Sequence, residues 1–198
     1  MPLPKILVTG FANSGTSFMC ELVASMGFSA GTRLKGGDEH NPFGYWEHLP
    51  IRDMVWGRVG NFNERRIPDR PVDPSRWPSA ISMMQDAARQ DHVEVYKDCT
   101  GPWSYPLLAS IERVVVITRD VSTLYERYYT DWSFAEFSEV HSKYHDLADD
   151  MSFEIPTMMI GYEDFSHDIA LAIGIVCRFL GQPYDHRLTS VFRPRERR

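Results

Sequence analysis

The segment from residue 5 to residue 26 constrains the fold most. A β-branched run, KILVT at 5–9, enters Gly10-Phe11-Ala12-Asn13-Ser14-Gly15-Thr16-Ser17 and then an amphipathic stretch, SFMCELVASM at 17–26. Strand, glycine loop and helix in this order turn successive backbone N–H groups and the positive end of a helix toward one point, which is a seat for an anion such as a phosphate. The spacing is that of G-x-x-x-x-G-[KT]-[ST], but Thr16 stands where a nucleoside triphosphatase needs a lysine to reach the β- and γ-phosphates. The loop therefore argues against ATP or GTP hydrolysis.

Three further apolar runs have strand length: HVEVYK at 92–97, VVVIT at 114–118 and PTMMIG at 156–161. Near-continuous apolar runs without strict alternation suit strands covered on both faces. Helical patterns lie between them. In 17–26, Phe18, Leu22 and Met26 fall on one stripe, and in 166–180 Ile169, Ile173, Val176 and Leu180 do the same before the stop signals Gly181 and Pro183. The expected fold is α/β, a three-layer parallel sheet with helices on both faces. One domain is expected over 1–198. Residues 29–78, rich in Gly, Pro, Asn and Arg, form a long excursion or lid with a short helix at 48–59, and 184–198 form a C-terminal tail.

With 43% hydrophobic and 24% charged residues the 198-residue chain can build a core, which excludes a disordered or low-complexity protein. A net charge of -6 argues against a nucleic-acid partner but leaves room for one basic pocket. The absence of an 18-residue apolar run predicts no membrane span, and Cys20, Cys99 and Cys177, widely spaced, suit a reduced, cytoplasmic setting rather than a disulfide framework or zinc knuckle. Cys20 and Cys177 read as core filler. His141 and His145, four apart, lack a third ligand partner, so no metal is expected.

Taken together, SGTS after a strand, NPFGYWE at 41–47, YKD at 96–98, VVVITRDVSTLYERYY at 114–129 and GYEDF followed by a helix ending in FLG resemble the sulfotransferases that use 3′-phosphoadenosine 5′-phosphosulfate (PAPS). The resemblance spans about 5–183 and implies an α/β domain like that of P-loop NTPases. It implies transfer of a sulfuryl group from PAPS, leaving adenosine 3′,5′-bisphosphate (PAP), to a hydroxyl or amine of a small molecule or glycan, with no metal.

Several residue roles follow from that resemblance. Ser14, Gly15, Thr16 and Ser17 hold the 5′-phosphate, and Phe18 either lies against adenine or belongs to the helix core. Arg119, at the end of its strand, holds the 3′-phosphate. Arg127 stands where the family has a serine completing that site, with Ser122 and Thr123 as substitutes. Tyr162 lies near the adenine. Lys97 meets the phosphosulfate bridge, where charge grows on the leaving oxygen. Asn13 replaces the family's Lys or Arg before SGT and brings a neutral donor to that oxygen; Arg33, Lys35, Arg52, Arg193, Arg195, Arg197 and Arg198 are the cations that could compensate. Cys99 occupies the second position after Lys97, where related enzymes have a histidine base. Glu47 is then the favoured base, with Glu39, His48 and Asp98 behind it, or else a charge at the start of a helix. Two alternatives stand beside the transferase: a catalytically impaired module that binds PAP or PAPS, and a P-loop kinase for a nucleotide or small molecule.

Overall fold

The computed structural model describes residues 4–39, 41–59, 70–108, 110–127 and 132–193. All four apolar runs are strands: Ile6–Thr9 (β1), Val95–Lys97 (β2), Arg113–Thr118 (β3) and Thr157–Gly161 (β4). They form one parallel sheet in the order β2-β1-β3-β4. Val8 lies opposite Lys97 on one side and Val115 on the other, so the carboxyl ends of β1, β2 and β3 stand side by side.

The sheet is apolar on both faces because helices cover both. Leu7, Tyr96, Val114 and Val116 pack against Ile51 and Val55 of Leu49–Val59 (α2), Met84 and Ala88 of Pro78–Gln90 (α3), Trp103 of Gly101–Ser104 (α4), and Phe137, Tyr144, Leu147 and Met151 of Phe134–Ser152 (α6). The other face, with Ile6, Val8, Val95, Val115 and Ile117, packs against Met19, Leu22 and Val23 of Thr16–Ser25 (α1), Phe165 of Tyr162–His167 (α7), and Ile173, Val176 and Leu180 of Ile169–Leu180 (α8). A short helix, Val121–Arg127 (α5), follows β3. Each large aliphatic side chain taken fully from water in this way contributes about 1.5–3 kcal/mol.

Two helix expectations change. The single stripe over 166–180 is two helices, because the Asp168 carboxylate accepts from the Leu171 N–H at 3.0 Å and caps a new start. In α1 the buried residues are Thr16, Met19, Cys20, Leu22 and Val23, while Phe18 and Met26 are half-buried at its edge. The packing stripe is thus rotated from the 18-22-26 line, which releases Phe18 toward the ligand end of the sheet. Cys20 and Cys177 are buried as expected, and burial pushes the Cys20 thiol up to about 12. Gly181, at φ 70°, ends α8 in the left-handed conformation for which glycine is suited.

Candidate functional site

The loop after β1 has the form that its glycines require. Its backbone closes through the Ser14 N–H to the Phe11 carbonyl at 3.0 Å, and Asn13 and Gly15 take φ values of 67° and 111°. Asparagine is among the few non-glycine residues that enter the left-handed region at modest cost. Ser14 is fully buried and its Oγ has no hydrogen-bond partner, an orphan polar atom that calls for a ligand. Thr16, also buried, opens α1. Ser17 faces the excursion instead: its hydroxyl donates to the Tyr45 carbonyl at 3.3 Å and accepts from the Asn41 amide at 3.2 Å.

Beside this loop, at the end of β3, Arg119 lies over the Tyr162 ring with 4.2 Å from guanidinium carbon to ring centre. Its Nη1 donates to the Asn13 carbonyl at 3.4 Å and its Nε is 3.6 Å from Glu163 Oε1. Asp120 instead caps α5, accepting from the Thr123 N–H and the Ser122 hydroxyl, so that hydroxyl is already engaged. Arg127 closes α5, half-buried. Phe18 stands edge-on to Tyr162, Phe165 and Phe192, with centroids 6.2, 5.0 and 5.2 Å away. Phe165 and Phe192 were not singled out in the sequence; Phe192 is remote in the chain, and only the turn at His186–Val191 brings it back to α1.

On the other flank, at the end of β2, Lys97 Nζ donates to Glu47 Oε1 at 2.9 Å, and both side chains are buried. Glu47 reaches this point from the excursion because the backbone turns abruptly at Trp46. The Lys35 N–H donates to the Glu47 carbonyl at 2.8 Å while the Lys35 carbonyl accepts from the Tyr45 N–H at 3.2 Å, so Trp46 is an inserted residue, with φ 59°. A bulky residue there carries strain of about 1–3 kcal/mol, and bulges of this kind redirect side chains beside functional sites. The second Glu47 oxygen, Oε2, accepts from Arg52 Nη1 at 3.4 Å. Arg52 is itself held by Asp53 Oδ1 at 2.7 Å and lies 5.0 Å from the Trp56 ring. Burial opposes its charge, yet its contacts with Asp53 and Glu47 raise its pKa above the usual guanidinium value.

The other base candidates are placed differently. Asp98 is buried and saturated: it accepts from the Thr100 N–H at 2.9 Å, the Thr100 and Ser104 hydroxyls, and Trp56 Nε1 at 3.3 Å. Burial pushes its carboxyl above the ordinary range, against the pull of those bonds. His48 points away to α3, with Nε2 2.9 Å from Asp91 Oδ2, and burial lowers its pKa. Glu39 is exposed. Of the alternative cations, Arg33 pairs with Asp91 at 3.6 Å, Lys35 sits 3.6 Å above the Tyr45 ring, and Arg193 bonds Glu21 at 3.1 Å and covers Phe43. Arg195, Arg197 and Arg198 lie outside the described residues. Among the described residues no three His, Cys, Asp or Glu side chains gather to hold a metal ion, and no helix is long and apolar enough to cross a membrane.

No protein-family model matches the chain, and no curated protein matches it. Solved structures do. The sulfotransferase domain of the Synechococcus PCC 7002 olefin synthase superposes with a TM-score of 0.60 at 14% identity, over 98% of this chain and 78% of that one. The chain has the sulfotransferase fold. The sulfotransferase domain from the curacin biosynthetic pathway gives 0.55 at 12% identity, over 98% and 80% of the two chains. Retinol dehydratase, in a complex with retinol and PAP, gives 0.50 at 16% over 96% and 65%. Within this sulfotransferase fold, the loop at 10–16 lies at the carboxyl end of the interior strand β1, between the β2 end that carries Lys97 and the β3 end followed by Arg119.

Proposed function

We propose that this protein transfers a sulfuryl group from PAPS to a hydroxyl or amine of a small molecule or glycan. The observation that carries the reading is the orphan Ser14 Oγ in a loop flanked by a cation from each neighbouring strand, Lys97 and Arg119. One anion seat with a cation on each side suits a ligand carrying two separated phosphate groups. Phe18, Tyr162 and Phe192, half-buried near Arg119 and backed by the buried Phe165, form an apolar aromatic cluster suited to a purine.

PAPS supplies an activated sulfuryl group on a good leaving phosphate. Ser14, Gly15 and Thr16, with the loop N–H groups including that of Ser17, bind and orient its 5′-phosphate; Arg119 binds the 3′-phosphate, to which Arg127 at the end of α5 adds charge, and Phe18 and Tyr162 face the base. Lys97 holds positive charge where the sulfur–oxygen bond breaks and its electron pair passes to the phosphate oxygen, and Asn13 offers a neutral donor there. Glu47 takes the proton of the acceptor as the new oxygen–sulfur or nitrogen–sulfur bond forms. Thr16 in place of a P-loop lysine weighs against the kinase alternative.

Calorimetric titration with PAP, beside ATP with Mg²⁺, tests this reading. Binding of PAP without a response to ATP, followed by transfer from labelled PAPS to members of an acceptor panel, is the expected result. A response to ATP alone, or to neither, overturns it.

A further inference from the structure

Glu47 and the leaving-group lysine occupy each other. In this structure the Lys97 ammonium spends its charge on Glu47 Oε1, 2.9 Å away, at a site where both side chains are buried. A buried carboxylate or ammonium stripped of its partner is strongly destabilised, so neither group can simply be released. Glu47, however, has a second partner. Arg52 reaches Oε2 at 3.4 Å, and Arg52 is held independently by Asp53 and lies along Trp56. Trp56 in turn donates to Asp98, which the Thr100 and Ser104 hydroxyls fix at the start of α4. The two carboxylate oxygens therefore have different fates. Oε2 rests on a fixed support, whereas Oε1 rests on a lysine that has another anion to serve.

Resting on the sulfuryl-transfer reading, we infer that Glu47 is a placeholder for the donor: the anion entering the 10–16 loop draws Lys97 away from Glu47, and Arg52 then holds Glu47 alone, with Oε1 open toward the acceptor. Arg52 is thus a positioning residue, since it acts through Glu47 and keeps that carboxylate paired while Lys97 changes partner. The handover orders the reaction. An acceptor hydroxyl or amine meets a free Oε1 only in the donor-loaded protein, so donor binds first, and in its absence the base stays covered.

The inference makes an unusual demand on binding. Removing the carboxylate frees Lys97 in advance, so Glu47→Gln binds PAP more tightly than the wild type, by about tenfold, although it lies on the acceptor side. Calorimetry with PAP on wild type, Glu47→Gln, Lys97→Met and the double variant reads the effect. The gain should vanish in the Lys97→Met background. Equal affinity of Glu47→Gln and wild type overturns the handover, and so does a gain that persists without Lys97, which would be a general effect of removing negative charge. If the wild type itself ignores PAP, the donor reading fails as well and the two failures are told apart. Should Glu47→Gln not fold, a crystal structure of the wild-type protein with PAP decides: Lys97 Nζ more than about 4 Å from Glu47 Oε1 is expected, beyond ion-pair range, and an unchanged contact overturns the inference.

Discussion

A methyl group placed on Gly15 would stand 2.6 Å from Cδ2 of Tyr162, closer than any side chain tolerates. The same residue has φ 111°, so its side chain is excluded twice, by the backbone and by the ring that closes over it. Tyr162 also carries Arg119 on its face at 4.2 Å. Gly15→Ala should therefore displace Tyr162 and Arg119 together, abolish PAP binding and lower stability by about 2–4 kcal/mol. Gly27→Ala is the control, because Gly27 has φ 104° with nothing within 4 Å of its added carbon and bears the backbone strain alone. Equal melting temperatures and intact PAP binding in both variants would remove Gly15 from the site.

Arg119 is held by stacking and by its fork rather than by charge alone. Arg119→Ala should weaken PAP binding by about 1.5–3 kcal/mol, the worth of a charged hydrogen bond. Arg119→Lys should recover only part of the loss, since an ammonium neither lies flat on Tyr162 nor bonds a phosphate with two parallel donors. Calorimetry reads both, and full recovery by lysine would reduce Arg119 to a point charge.

What was legible in the sequence follows from how local the signal is. The four strands were readable because each is a short run buried on both faces, and the loop because Gly10, Gly15 and Thr16 are fixed by one strand–helix junction. The residues expected at the site gather at three strand ends: Asn13 to Phe18 after β1, Lys97 at the end of β2, and Arg119 after β3, with Tyr162 at the start of α7 beside them. The partners of those residues were less accessible. Arg52 was a candidate for the charge missing at Asn13, yet it lies on Glu47, a contact created by the inserted residue Trp46 and invisible to periodicity. Asp98 and His48 stood behind Glu47 as bases, and tertiary contacts set them apart from it, Asp98 saturated by Thr100, Ser104 and Trp56, and His48 turned to Asp91. Phe192 reaches Phe18 across most of the chain, where no local pattern can point.

Asn13 combines two demands. It sits at φ 67°, which asparagine accepts readily, and on the proposed sulfuryl-transfer reading it stands where a cation would meet the leaving oxygen. Asn13→Arg should raise turnover on the order of 10², the scale of one transition-state donor, and cost about 1 kcal/mol of stability through the left-handed backbone. Unchanged turnover would show that another cation already supplies the charge, and Lys35, which lies over the ring of Tyr45, whose carbonyl accepts from Ser17, is the first to replace.

Acid should loosen the fold through its histidines. Burial lowers the pKa of His141, with the neighbouring His145 adding to it, to about 4; burial lowers His145 and His48 as well. His141 faces His145 at 3.2 Å between ring nitrogens, the Arg119 backbone and the Asp120 charge, while Asp146 and Asp149 face His145. Below about pH 6.5 the unfolded chain takes up protons that the folded chain refuses. The histidine contribution is thus complete above that value and is lost as pH falls, for His141 down to about 4. The melting temperature should decline from pH 7 to pH 5, and His141→Gln should flatten the decline because one of the three refused protons is gone. Calorimetric melts over that range check it, and a slope the variant leaves unchanged would mean that His141 is not among the groups that set it.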